Sequence, residues 1–136
     1  MKKTFEVAGI ESLMDSLKVM TSTDFADNAL RKGLMRGGKM VQATAKRLCP
    51  VDTGKLRNSI EVTPIENGAD VGTNVECAAY VEYGTGKKGD PSVKHREDWE
   101  GQAPQPYLYP ALEAHKAEIK DIVQNTLQEE IRKAVR

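Results

Sequence analysis

Residues 25–48 read FADNALRKGLMRGGKMVQATAKRL, and this stretch predicts the helix around which the fold is organised. Its apolar residues recur at helical spacing over more than six turns. Thr23 or Asp24 is expected to cap its first turn with a side-chain oxygen. Cys49-Pro50 should end it, because the residue before a proline disfavours helical backbone. The sequence therefore predicts one long helix that packs through a single face.

Small residues form a second pattern on this helix. Ala29, Gly33 and Gly37 stand four residues apart, which gives a stripe without bulk. Each glycine costs a helix roughly 1 kcal/mol relative to alanine. The stripe predicts either close approach of a neighbouring element or subunit, or a kink near Gly37-Gly38.

Other elements lie on both sides of the long helix. Residues 4–8 alternate apolar and polar side chains and predict a short strand, and residues 10–20 predict an amphipathic helix. From Ala111 a clear 3.6-residue period predicts a helix that runs nearly to residue 136. Pro110 is expected as its first residue, because proline needs no amide donor there.

The middle of the chain predicts strands. Residues 56–64 read as one strand, Asn67-Gly68 as a two-residue hairpin turn, and residues 69–75 as the partner strand. Residues 78–83 are rich in tyrosine and valine and predict a third strand of an antiparallel meander. Residues 84–105 predict a long loop, and loops of this length usually have a function or are disordered.

These elements predict an α+β fold. It has two N-terminal helices, an antiparallel sheet of three to four strands, and a long C-terminal helix packed on the sheet. The length of 136 residues suits a single domain covering residues 1–136. The acidic residues at Glu6, Glu11 and Asp15 interrupt any export signal, and no stretch is long and apolar enough for a membrane span.

Charge and cysteine content exclude several classes of partner and site. Lys plus Arg and Asp plus Glu both number 20, so the net charge of zero gives no global argument for binding nucleic acid or a membrane. The segment from Arg31 to Arg57 nevertheless holds eight basic residues and one acidic residue, which predicts either a solvated helix face or a functional basic surface. The two cysteines, Cys49 and Cys77, form no disulfide framework or zinc-ligand spacing.

Two short motifs resemble enzyme signatures without the required context. Asp52-Thr53-Gly54 matches the aspartic-protease triplet, but it follows a helix and a proline instead of leaving an apolar strand, and a dimer would be needed to pair two carboxylates. The glycine-rich segment after Gly84 resembles a phosphate-binding loop, but its last glycine is not followed by the Lys-Ser or Lys-Thr pair that such a loop requires. His95 and His115 have no ligand partners at metal-site spacing, and His115 is expected in the core. No cofactor is predicted.

Three segments carry a more specific signal when they are taken in order. They are residues 50–60 (PVDTGKLRNSI), residues 79–85 (AYVEYGT) and residues 105–112 (QPYLYPAL). Together, with a long helix on either side, they resemble the small head–tail joining or tail-completion family of lambda-like, long-tailed bacteriophages. Tyr107 stands where that family more often has phenylalanine. Cys77-Ala78-Ala79 stands where the family more usually has a tyrosine-containing sequence at the entry to the predicted third strand.

The resemblance implies a structural virion protein with neither catalysis nor cofactor. It implies a neck protein at the head–tail junction, assembled in the host cytoplasm into a homo-oligomeric ring that contacts other neck or tail proteins. Such a ring uses a heterologous interface repeated by rotation. Non-specific, salt-sensitive contact with DNA in the channel is a further expectation. The alternatives are a tail terminator or minor tail subunit, a dimeric protease using Asp52, and a nucleic-acid-binding module.

The resemblance and the long loop together suggest two groups of candidate residues. One group is an assembly interface, and the other is a structural turn after the long helix. The interface candidates are Tyr83, Gly84, Thr85, Lys87, Lys88, Trp99, Pro106 and Tyr107. The turn candidates are Pro50, Asp52, Thr53 and Gly54.

Overall fold

The computed structural model describes residues 1–51, 54–84 and 103–135. Within these ranges, helices and strands occur in separate runs along the chain, which is the α+β arrangement that the sequence predicts. In chain order the elements are β1 (Lys2–Glu6), α1 (Glu11–Met20), α2 (Thr23–Leu48), α3 (Lys55–Asn58), β2 (Glu61–Ile65), β3 (Gly68–Gly72), α4 (Ala78–Tyr83) and α5 (Leu108–Ala134).

Helix α2 has the predicted length and the predicted C-terminal end, but its cap is one residue earlier than expected. The Ser22 hydroxyl oxygen accepts a hydrogen bond from the Phe25 amide at 3.1 Å, so neither Thr23 nor Asp24 is the cap. Ser22 fits because its extended backbone turns its side chain towards the free amides of the first turn. At the other end, Cys49 is already extended before Pro50.

The glycine stripe of α2 is explained by close helix packing. The helix continues through Gly37-Gly38, and α5 lies antiparallel along it. A Cβ atom on Gly33 would stand 3.2 Å from the Cα of Val123, and one on Gly37 would stand 3.3 Å from a methyl of Ile119. Of the two predicted explanations, close approach of a neighbouring element is therefore confirmed.

Polar contacts border this helix pair. Lys32 Nζ lies 2.9 Å from Glu130 Oε1, and Arg36 Nη1 lies 3.2 Å from Glu129 Oε2. Arg36 also donates to the Thr126 hydroxyl at 3.0 Å. These contacts hold the two helices in register on one side of the apolar interface.

The sheet has three strands in the order β1-β3-β2, all antiparallel. Phe5, Ala69 and Val71 face the helices and are buried, and α2 packs against β2 and β3 while α5 reaches β1. The opposite face of the sheet carries polar side chains such as Thr4, Asp70 and Thr63. The helices therefore cover one face of the sheet, as predicted, and the core lies between the two layers.

The predicted third strand at residues 78–83 is wrong, because these residues form helix α4. The edge of β3 that a third meander strand would need is occupied by β1, from the start of the chain. Ala78 and Glu82 are buried while Tyr80 is exposed, which is the four-residue spacing of a helix. Tertiary pairing thus overrides the strand preference of tyrosine and valine.

Other boundaries also differ from the prediction. Helix α5 begins at Leu108, so Pro110 is its third residue and not its first, β1 spans residues 2–6, and β3 ends at Gly72. Residues 55–58 form the short helix α3, entered through Gly54 at φ +83°, so the strand begins only at Glu61. The hairpin exists, but Ile65 pairs with Gly68, which makes Glu66-Asn67 the turn. Gly68 belongs to the strand, and a Cβ atom there would collide with the carbonyl oxygen of Phe5. The main chain therefore approaches too closely at this position for any other residue.

We expect Gly38→Ala to destabilise the protein by about 1–2 kcal/mol, although alanine favours helix, because its methyl group would overlap a Val62 methyl. Urea unfolding of Gly38→Ala, Val62→Ala and the double variant measures this effect. The double variant should be more stable than the sum of the single losses predicts, because Val62→Ala removes the overlap. Simple additivity of the two losses would contradict this packing.

We expect Glu130→Gln to weaken the loss of stability that accompanies acidification. The hydrogen bond from Lys32 holds the pKa of Glu130 below its usual range, with the charge of Lys133 adding to the effect. A carboxyl whose pKa is lowered by folding stabilises the fold above its unfolded pKa, near about 4. That stability is lost as pH falls through the lower, folded pKa.

Urea midpoints measured from neutral pH down to acid test this expectation. Glu130→Gln should be less stable than the wild type at neutral pH and should show a shallower decline. Glu6→Gln, at an exposed position, is the control and should follow the wild-type curve. A Glu130→Gln curve parallel to the wild type would show that the ion pair contributes nothing.

Candidate functional site

A buried carboxylate joins the second and third sequence motifs. Glu82 of α4 is only 3% exposed. Its Oε2 accepts hydrogen bonds from the Tyr107 amide at 2.7 Å and the Leu108 amide at 3.0 Å, and its Oε1 accepts one from the Tyr109 amide at 2.8 Å. One side chain therefore satisfies three main-chain donors at the start of α5.

The start of α5 requires such a partner. The first amides of a helix have no acceptor within the helix, and this end of the helix dipole favours negative charge. Tyr107, at the N-cap position, has no side-chain cap of its own. Glu82 supplies the missing cap from a different element, and this role explains why an acidic residue is buried here.

Two more hydrogen bonds reinforce the same connection. The Gln105 amide donates to the Val81 carbonyl at 2.8 Å, and the Tyr107 hydroxyl donates to the Ala78 carbonyl at 3.3 Å. Tyr107 is completely buried. The chain before residue 85 and the chain after residue 102 are thus fixed directly to each other.

Cys49, the residue immediately before the first motif, lies in the same region. Burial raises the pKa of the Cys49 thiol, and the neighbouring Cys77 adds to the rise. Burial likewise raises the pKa of the Tyr107 phenol, with the negative charge of Glu82 as the second cause. Both groups stay protonated at neutral pH, so neither is prepared to act as a nucleophile or a base.

We call the contact between Glu82 and the start of α5 the Glu82 junction. A lysine and two tyrosines lie at the surface beside it. Lys3 Nζ lies 3.4 Å from the Tyr83 hydroxyl oxygen, and it stands 5.8 Å from the Tyr83 ring centre and 5.9 Å from that of Tyr109. These distances allow cation–π attraction. Strand β1 is thereby linked to both motifs, while Tyr109 remains 55% exposed.

The predicted interface residues fall in different places. Pro106 is exposed and Tyr83 is half-buried, whereas Gly84 and Tyr107 are buried. Gly84 has φ +73°, which favours glycine and explains how the chain leaves α4. The remaining interface candidates lie outside the described residues: Thr85, Lys87, Lys88 and Trp99.

The predicted turn is described only at its two ends. Pro50 is half-buried after α2, and Gly54 precedes α3 with a left-handed backbone. Asp52 and Thr53 lie outside the described residues. Leu56 and Ile60 follow the turn and enter the core. The apolar residues of this motif therefore have a packing role.

Glu82 and Lys3 are the functional residues that sequence reasoning missed. One signal was available for Glu82, because the helix predicted after Pro106 lacks Ser, Thr, Asp or Asn at its start. An uncapped helix end requires a partner elsewhere, and Glu82 is the acidic residue of the preceding motif. No local signal identifies Lys3, whose partners lie about 80 residues away along the chain.

His115 contacts side chains of two helices. The His115 ring nitrogen Nε2 contacts the Thr44 hydroxyl at 2.5 Å, and Nδ1 lies 3.7 Å from Glu118. This places His115 between α2 and α5. Across residues 1–51, 54–84 and 103–135, no group of His, Cys, Asp and Glu side chains could hold a metal ion.

In the part of the chain that the structure describes, no helix is both long enough and apolar enough to cross a bilayer.

Comparison with known families gives one match. The model of a family described as "Bacteriophage HK97-gp10, putative tail-component" matches residues 11–84, which is more than half of the chain. The match covers α1 to α4 and the first two motifs, including Glu82. Searches of curated proteins and of solved structures gave no match.

We expect Glu82→Gln to destabilise the protein by about 1–3 kcal/mol, because a neutral amide has one acceptor oxygen and would turn an NH₂ group towards a main-chain donor. Urea unfolding measures the loss, and amide exchange locates it. Exchange should accelerate first at Tyr107, Leu108 and Tyr109. Glu76→Gln makes the same chemical change at an exposed site and should have little effect. Equal effects of the two variants would contradict the capping role.

Proposed function

Because this chain belongs to the HK97 gp10-like family of bacteriophage tail components, we propose that it is a structural subunit that forms a ring at the head–tail junction. Family membership itself supports a structural, tail-related role in the virion. We propose three further points: the protein forms a ring, the ring lies at the head–tail junction, and the subunits are in the host cytoplasm during assembly.

The Glu82 junction is the observation that best supports this proposal. It joins α4 to α5 in a buried site, where the Glu82 carboxylate accepts three hydrogen bonds from main-chain amides. The chain on the two sides of segment 85–102 is therefore held at one site, which serves as a base for this segment. A base of this kind suits a segment that must meet a neighbouring subunit in a fixed position, because the cost of ordering the two ends has already been met.

The proposed assembly surface surrounds this base. Tyr80 and Tyr109 are 40% and 55% exposed there, and tyrosine is enriched at protein interfaces. Pro106 is also exposed, and Tyr83 is half-buried. The proposed surface also includes the segment that carries Thr85, Lys87, Lys88 and Trp99. Other neck or tail proteins are its further proposed partners. Gly84 and Tyr107 support the surface from beneath.

Three alternatives remain, and they predict different results. A tail terminator or minor tail subunit would use the same surface at another position in the tail. Contact with DNA in the channel would involve the basic residues of segment 31–57 or Lys87 and Lys88, and it would weaken with salt. A protease using Asp52 would need a paired carboxylate, and the tail-component family gives this alternative no support.

A phage with this gene inactivated tests the proposed function. We expect DNA-filled heads and separate tails to accumulate, and the wild-type protein supplied in trans should restore joined particles. Complete particles formed without the protein would contradict the proposal. Tails of abnormal length would instead favour the terminator role.

Surface variants then test the assembly face. Tyr80→Ser should reduce joining because it removes an exposed aromatic side chain from the proposed surface. Val19→Ser is the control, since Val19 is 87% exposed at the far end of α1. Both purified variants should unfold at the wild-type urea concentration. Equal joining by the two variants would place the interface elsewhere.

A further inference from the structure

The outward face of α2 carries basic side chains that have no ionic partner among the described residues. Arg31, Lys39 and Lys46 stand eight and seven residues apart, so they lie along one side of the helix. We call these three residues the basic stripe. It extends over roughly 22 Å at 1.5 Å per residue. Lys32 and Arg36 differ from them, because each is paired with a carboxylate of α5.

Asp27 lies one turn before Arg31, but no acidic residue of α2 lies near Lys39 or Lys46. Residues 28–51 contain no Asp or Glu. Arg31 and Lys39 are exposed, and Lys46 is half-buried. Because the whole chain has zero net charge, an excess of positive charge on this face requires an excess of negative charge elsewhere.

Part of that negative charge lines a cleft of about 270 Å³ at the other end of α2. We call it the acidic cleft. Buried side chains such as Ile10, Met14 and Leu30 form part of its lining. Lys18 is the basic residue of this lining. The carboxylates around the cleft are Glu11, Asp15, Asp27 and Glu66, and none has an ion pair with a described residue.

Within one molecule the acidic cleft can reach Arg31, which lies one turn from Asp27, but it cannot neutralise Lys39 and Lys46. Asp27 lies in the first turn of α2, whereas Lys39 and Lys46 lie roughly 18 and 28 Å further along the same rigid helix. Those distances exceed the reach of the side chains and the screening length of about 8–10 Å at moderate salt. Only a second molecule can bring an acidic cleft to Lys39 and Lys46.

We propose that the basic stripe of one copy docks on the acidic cleft of the next copy. Two different surfaces meet in this contact, so it is heterologous, which is the kind of interface that a ring requires. The inference deepens the proposed ring function and rests on it. Charge complementarity sets the orientation of such a contact and excludes the stripe-to-stripe arrangement, in which like charges would meet.

DNA is the competing partner for the basic stripe. It would satisfy the lysines and the arginine, but it would leave four carboxylates around the cleft without a partner. A second copy satisfies both surfaces at once. The balanced net charge also removes the long-range attraction that a DNA-binding protein normally has.

Charge reversal on each surface tests the contact. Lys39→Glu/Lys46→Glu reverses the stripe, and Asp15→Lys/Glu66→Lys reverses the cleft. Sedimentation should show that the wild type self-associates at about 50 mM salt and dissociates as salt screens the charges. Each variant alone should self-associate at least about tenfold more weakly than the wild type, because its two surfaces now carry the same sign.

An equimolar mixture of the two variants gives the decisive result. The reversed stripe of one variant matches the reversed cleft of the other, and their unchanged surfaces also match, so association should return. Lys116→Glu/Arg132→Glu is the control, since it makes the same charge change on exposed positions of α5. Circular dichroism confirms that each variant is folded.

Several outcomes would overturn the proposal. They are a wild type that remains monomeric at about 1 mM protein, variants that associate like the wild type, and a mixture that does not recover. If Lys39→Glu/Lys46→Glu instead loses binding to a short DNA duplex while self-association is unchanged, the stripe binds DNA. In the phage assay, normal joining by both charge variants would reject this interface alone, whereas failure of the wild type to restore joining would reject the proposed function.

Discussion

The close contact between α2 and α5 is the constraint on which the rest of the structure depends. At Gly33 the two helices approach so closely that even a methyl group would stand 3.2 Å from the main chain of α5. This contact fixes where α5 lies and therefore where its first amides are found. Gly38 allows the sheet to approach α2 through Val62. One helix thus positions the two layers of the core, and the small residues of its stripe supply the space.

The Glu82 junction is a consequence of that packing. Once α5 is held against α2, its N-terminus meets α4, and a carboxylate at this point can accept three amide hydrogen bonds. Burying a charged group costs free energy unless it is fully hydrogen-bonded, and here the helix end supplies the compensation. The neighbouring Tyr107 and Cys49 have raised pKa values and remain neutral. Their chemistry supports a structural role for the junction.

Family membership and the structure account for different parts of the chain. The matched region ends at residue 84, just after Glu82. The three amides that Glu82 binds belong to residues 107–109, outside the match. The third motif is therefore connected to the family region by a physical interaction that a linear comparison cannot detect.

Local sequence patterns determined the helices α1, α2 and α5, the existence of a hairpin near Asn67 and the α+β class, because each depends on residues within a few turns of one another. The strand register then moved the hairpin turn to residues 66–67. The order of the three motifs determined the tail-protein family. Only the tertiary structure decided that residues 78–83 form a helix, since β1 occupies the sheet edge and Glu82 must meet α5. It also decided that Gly33 serves close packing, because a glycine stripe alone does not specify its neighbour. Contacts between distant parts of the chain made these choices.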